Sequence, residues 1–394
     1  MKSDGKDCRV TGPMGRYVPL AAACAICAAM LSAAEGEVGP EVRAEWEKPD
    51  APAITATEAM ALPIPEFARA RIASAQERYR RWKGADTAVA IPFITDVHDW
   101  RGYFPASNTW ASSKMHIRLL RAAAEAFDAD LIGDLGDKGI DCKGHWKIPG
   151  NEAHLRTRTA CEQALYGDYS FSAMFSIPGN HDHGSVYAPI SNADFGRLFN
   201  SFPANDRPGM EWGPNRDYGK FDVPGKSCRV IFLNTTESPK GNGYGMNSAQ
   251  VAFAQREMET VPAGWSLLVF THKCLHPSCG RWDYPNWKPQ DFKGFAEIRD
   301  AMKAAAARKD IHFIGCICGD SHFDIDYTED GVRYLISQGY AGCGKKLHPK
   351  DQPSATELAF DRGKDMLIDV ACVKPETGDF RLFRIGVGDA SRDR

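Results

Sequence analysis

Six short apolar runs, each closing on polar residues, constrain this chain more than any other feature. They are TAVAIPFIT into Asp96, ADLI into Gly133-Asp134, FSAMFSI into Gly179-Asn180, CRVIFLN, WSLLVFTH and IHFIGCICGD. Around and between them PEFARARIASAQERYRRWKG, SKMHIRLLRAAAEAF, NEAHLRTRTACEQAL, NSAQVAFAQREMETV and FAEIRDAMKAAAARK carry helical spacing. Such strand-helix alternation predicts an α/β domain whose helices cover a sheet. Towards the end the pattern changes. VRYLISQGY, DMLIDVACV and FRLFRIGVG alternate without helices, the last two joined by KPETGD, which predicts antiparallel strands.

The chain has 394 residues, 43% of them apolar, enough for one large domain or two modest ones with a proper core. A net charge of -3 without a long basic run weighs against nucleic acid as the main partner. Residues 1–34 have the three parts of a secretory leader: a stretch with Lys and Arg, the apolar VPLAAACAICAAML, and small residues before a cut after Ala34. The apolar part is too short for stable membrane insertion. LAAAC faintly resembles a lipid-attachment box, so an anchor at Cys24 is the alternative to cleavage. Residues 35–62 are rich in Pro, Ala and Glu and read as a linker. That leaves 63–388 as a single domain, including an N-terminal helix, and 389–394 as a tail. The expected location is periplasmic or extracellular, where disulfides form. Cys274 with Cys279, and Cys142 with Cys161, are the candidate pairs, while Cys316 and Cys318 read as buried strand residues.

In an open α/β sheet the carboxyl ends of the strands line one crevice. TDVHDW brings Asp96 and His98 to it, and GDLGDKG brings Asp134 and Asp137. GNHDHG adds Asn180, His181 and Asp182, VFTHK adds His272, and CGDSHFD adds Asp320 and His322. One Asp-x-His alone is an ordinary turn. Five such ends together describe a binuclear metal site, because imidazole suits zinc, iron or manganese, carboxylates suit harder ions, and one Asp can bridge two cations. Asp99 and Asp137 read as supporting or helix-capping groups rather than ligands. Trp100, Tyr103, Trp110, Trp146, Trp212, Trp282, Tyr284 and Trp287 are expected in loops after strands, either lining a substrate pocket or packing those loops together.

Asp-x-His, Gly-Asp-x-x-Asp, Gly-Asn-His-Asp, a lone strand-end His and a final Gly-x-x-His, in this order from about Thr87 to His322, resemble the calcineurin-like metallophosphoesterases. The closing strands from Thr356 onward are similar to those of bacterial members. The resemblance implies a four-layer α/β/β/α sandwich with mixed sheets. It also implies hydrolysis of a phosphomonoester or phosphodiester by a hydroxide bridging two divalent cations. By the same resemblance Asp96, His98 and His322 hold one cation, Asn180 and His272 hold the other, and Asp134 bridges them. His181 would assist the leaving oxygen as general acid, with Asp182 orienting its ring. The partner implied is a small phosphorylated substrate.

The sequence departs from this pattern once. The family's Gly-His-x-His here reads Gly319-Asp320-Ser321-His322, so an anionic oxygen ligand stands where a neutral imidazole would bind the second cation. Among manganese, iron, zinc and magnesium that substitution favours manganese. Two other functions remain open: a pyrophosphatase on nucleotide or lipid diphosphates, and a non-catalytic metal-bound module whose second site has decayed at Asp320. His181 argues against decay, since it has no ligand duty to preserve it.

Overall fold

Two β-sheets stack face to face because the strands in both alternate large apolar residues on each side. The computed structural model describes residues 64, 66–97, 109–138, 172–180, 182, 191–236, 244–276, 292–321, 323–339 and 367–386. Among them the helices are α1 (Glu66–Lys83), α2 (Thr109–Phe127), α3 (Asn192–Phe199), α4 (Ser248–Glu259) and α5 (Phe295–Ala307). The strands are β1 (Val89–Ile94), β2 (Leu131–Asp134), β3 (Ala173–Ser176), β4 (Met210–Trp212), β5 (Gly219–Asp222) and β6 (Cys228–Leu233). They continue with β7 (Ser266–Thr271), β8 (His312–Cys318), β9 (Ile325–Glu329), β10 (Val332–Ile336), β11 (Leu367–Lys374) and β12 (Asp379–Gly386).

The first sheet has the order β12-β11-β1-β2-β3 and the second β4-β5-β6-β7-β8-β10-β9. In the first, β1, β2 and β3 run parallel while β11 and β12 are antiparallel additions. In the second, β6, β7, β8 and β10 run parallel, flanked by antiparallel strands. The first sheet's Ile91, Phe93 and Phe175 meet Phe232, Leu268 and Phe270 of the second in the central core. Phe175 stacks on Phe232 at 4.7 Å and Phe93 meets Phe270 edge-on at 5.6 Å. The intervening residues face outward. Ala90, Ile94 and Ile132 pack under α1 and α2, and Ile231, Leu267 and Val269 under α4 and α5. The central strands are therefore covered on both faces, which is why β1, β6 and β7 are buried along their whole length. The layers follow as α/β/β/α, the architecture the motif resemblance implies.

Each apolar run named above forms a strand, and the helical segments described coincide with α1, α2, α4 and α5. The segment NEAHLRTRTACEQAL, the leader and the linker lie outside the described residues. VRYLI is a correction: β10 pairs antiparallel with β9 but parallel with β8, so it belongs to the α/β part of the second sheet. Trp212 is another, since it sits in β4, packs on Phe232 at 5.0 Å and donates its indole N–H to the Asn205 carbonyl. Cys274 is buried, and Cys279, its candidate partner, lies outside the described residues, as do Cys142 and Cys161. Among the described residues no helix is long and apolar enough to cross a membrane.

Candidate metal centre

The parallel strands of both sheets end at one place, and contacts between the two sheets fix it. The Asp320 N–H, after β8, donates to Asp96 Oδ2 after β1 at 2.9 Å. His272, after β7, places Nδ1 2.8 Å from the Leu135 carbonyl after β2. Thr236, after β6, donates its hydroxyl to the Pro178 carbonyl after β3 at 3.1 Å. Three glycines permit this closeness. A Cβ on Gly136 would lie 2.4 Å from the Gly179 nitrogen, one on Gly179 would lie 2.1 Å from Asp137 Oδ1, and one on Gly319 would lie 2.5 Å from Asp96 Oδ2. The chain bends sharply where it leaves each strand. Asp96, Asp137 and Asp320 all have left-handed backbone, with φ of 53°, 53° and 65°. Strained backbone of this kind gathers at functional sites.

His272 is the hub. Its ring is fully buried, and with a proton on Nδ1 directed at the Leu135 carbonyl, Nε2 faces oxygens only. Asn180 Oδ1 lies 3.2 Å from Nε2, and Asp137 Oδ1 and Asp320 Oδ1 each lie 3.4 Å away. Asp96, Asp137 and His272 each offer a ligand atom within 4.8 Å of the others. Burial opposes a charged His272 ring, but the carboxylates of Asp137, Asp320 and Asp96 outweigh it and hold its pKa well above the ordinary imidazole value. With imidazole nitrogen, amide oxygen and carboxylate oxygens in one buried cluster, the donor set fits a divalent cation.

Asp134 does not join that cluster. It is the last residue of β2, and its carboxylate forms a buried ion pair with Lys138 while accepting the Gly136 N–H at 3.1 Å. Asp137 occupies the place expected for Asp134, and strand register explains why. Ile94 pairs with Asp134, so Asp96, two residues beyond, lies level with Gly136-Asp137. GDLGD contains Gly-Asp twice, three residues apart, and the second copy is the one at the crevice. Only the first copy completes Gly-Asp-x-x-Asp, but both offer a Gly-Asp, and the pairing of β1 with β2 sets the second level with Asp96.

Asp182 accepts three backbone N–H groups, from Gly179, Asp137 and Lys138, each at 2.8 Å. It therefore ties the loop after β2 to the loop after β3. Burial pushes its carboxyl up to about 6 and Asp137 adds to the rise, while Lys138 and the Gly179 N–H act the other way. Asp320 is gripped from behind: its Oδ2 pairs with the buried Lys273 ammonium, and its Oδ1 accepts the Tyr244 hydroxyl at 2.8 Å. Burial would raise its pKa, but Lys273 and His272 hold it well below the usual carboxylate range. The segment after Asp320 is clamped by Arg384, whose buried guanidinium forks onto Asp324 at 2.6 and 2.9 Å and Asp369 at 2.7 and 2.6 Å. Lys273, Tyr244 and Arg384 carry no signal in the sequence: Lys273 stands beside His272 in VFTHK and Arg384 in a closing strand, and neither place marks a role. His98, His181 and His322 lie outside the described residues.

No family model matches the chain, and no curated protein matches it in sequence. Among solved structures it is similar to a dimetal phosphatase from Danio rerio, at 14% identity over 78% of this chain and 98% of that one, with a TM-score of 0.49. It is also similar to a purple acid phosphatase from yellow lupin seeds, at 11% identity over 76% of this chain and 52% of that one, with a TM-score of 0.46. PhoD is another, at 12% identity over 79% and 72%, with a TM-score of 0.46.

Proposed function

We propose that this chain is a metal-dependent phosphoesterase acting on a small phosphorylated substrate. The observation that carries the reading is the convergence of Asn180, Asp137 and Asp320 oxygens on His272 Nε2, at 3.2, 3.4 and 3.4 Å. Asn180, His272 and Asp320 would hold one cation. Asp96 would hold the other with His98 and His322, and Asp137 would be shared between them. Two divalent cations so held would supply Lewis acidity, activating a water and offsetting charge on the phosphoryl oxygens. The oxygen-rich set around His272 suits manganese or magnesium better than zinc.

The chain's own groups do the rest. The His272 ring is fixed by the Leu135 carbonyl, so its orientation is set before any ligand arrives. Asp182 locks the turn that carries Asn180 against the turn that carries Asp137. His181, between Asn180 and Asp182 in sequence, would protonate the leaving oxygen. Residues 1–34 would direct export and be removed, so that mature protein begins near Glu35.

The test is hydrolysis of an aryl phosphate and a bis-aryl phosphate by chelator-stripped protein reloaded with single metals. Turnover that returns with manganese or magnesium supports the reading, and its relative rate on the two substrates separates monoesterase from diesterase. No turnover with any metal, from protein shown to bind two cations, would leave a binding module as the better description.

A further inference from the structure

Lys273 is a cation buried beside a candidate cation site, an arrangement that electrostatics alone disfavours. Its side chain is fully buried, its ammonium pairs with Asp320 Oδ2 and lies 5.2 Å from the centre of the Tyr244 ring, and its backbone N–H donates to Thr235 Oγ1 at 2.9 Å. A buried ammonium is tolerated only when it is paired. Here the pair is with the one residue at which the motif order departs from its family, Asp320 in place of a neutral imidazole. The two departures from expectation are adjacent and of opposite charge.

We infer that Lys273 is a positioning residue that cancels the charge of Asp320 and fixes which of its oxygens faces the crevice. The inference rests on the metal-centre reading above. With Oδ2 held by the ammonium and Oδ1 accepting the Tyr244 hydroxyl, the carboxylate turns one oxygen, Oδ1, towards His272 Nε2 at 3.4 Å. Asp320 and Lys273 together carry no net charge, as the imidazole they replace carries none. The position formed with Asn180 and His272 therefore keeps the net charge of an imidazole-built site while presenting an oxygen. Asp320 at this position is then a compensated substitution, not a decayed one.

The inference makes a signed prediction for a charge cycle, read by calorimetric titration of manganese into chelator-stripped full-length protein. Removing the ammonium with Lys273→Met leaves the carboxylate uncompensated, so the weaker manganese step should tighten by about tenfold or more. Asp320→His strands the ammonium beside the cation, and that step should weaken by about 10²-fold. The double variant D320H/K273M restores a neutral shell and should return within about threefold of the parent, while Lys273→Arg should keep the parent's affinity. A purely structural lysine would give the opposite sign in Lys273→Met and no recovery in the double variant. If Lys273→Met fails to fold, D320H/K273M, which buries neither charge, still decides the matter. Two manganese steps in the parent with no recovery in the double variant overturn this inference alone; no manganese binding in the parent overturns the metal centre and this inference with it.

Discussion

Gly179→Ala puts the smallest possible side chain into a close approach between two loops of the centre. Its Cβ would lie 2.1 Å from Asp137 Oδ1, 2.3 Å from the Asp137 nitrogen and 2.7 Å from its Cγ, all well inside ordinary contact, which begins near 3.4 Å. The nitrogen cannot yield easily, because it donates to Asp182 Oδ2 at 2.8 Å, the same oxygen that accepts the Gly179 N–H. Relief must come from moving the Asp137 carboxylate by about 1 Å and stretching the Asp182 bridge. Displacement on that scale costs on the order of 10²-fold in rate at a reacting centre. Overpacking without relaxation costs about 1–3 kcal/mol of stability. The assay is manganese titration of the variant beside a thermal melt. The expected result is a folded protein with a modestly lower Tm and manganese binding weakened at least tenfold. A variant that binds manganese as the parent does would refute the placement of Asp137 against Gly179.

Three further outcomes follow from the same geometry. Asp134→Asn should destabilise by about 3–5 kcal/mol, because it removes the carboxylate from the buried ion pair with Lys138; D134N/K138M should recover most of that loss in denaturant melts and keep manganese binding throughout. His272, whose pKa is held above the ordinary value in the metal-free chain, should give up its proton as the cation binds. Apparent affinity should therefore rise with pH, and calorimetry in buffers of different ionisation enthalpy counts the proton. In the metal-free chain a raised His272 pKa stabilises below the unfolded value of about 6.5, and that contribution is lost as pH rises through the folded value. Asp320 works in the other direction: its depressed pKa stabilises above about 3.9, and the contribution is lost as pH falls towards its folded value.

Strand positions were legible because each is an apolar run long enough to cross a covered sheet. Ile91, Phe93, Leu268 and Phe270 could only be interior. Strands β4, β5 and β9 escaped notice because they lie towards the outside of the second sheet and are polar on at least one side. Asp96, Asn180, His272 and Asp320 were legible as strand-end polar residues, and the structure brings all four together. The frame of the second motif was not. Gly133-Asp134 completes Gly-Asp-x-x-Asp and so drew the assignment, yet the pairing of Ile94 with Asp134 makes Asp137, in the second Gly-Asp, the neighbour of Asp96. Lys273 stayed hidden for another reason, since a Lys next to a strand-end His looks the same in sequence whether it reaches solvent or turns inward to Asp320.

The central claim is that one carboxylate, Asp137, is shared by two cations at the meeting point of the sheets. Metal content of chelated protein reloaded with manganese, washed and measured by mass spectrometry, tests it directly in the parent and in Asp137→Asn. The account predicts two manganese ions per chain in the parent and loss of both to wash in the variant, with far-UV circular dichroism unchanged. Two ions retained by Asp137→Asn, or none held by the parent, would contradict it.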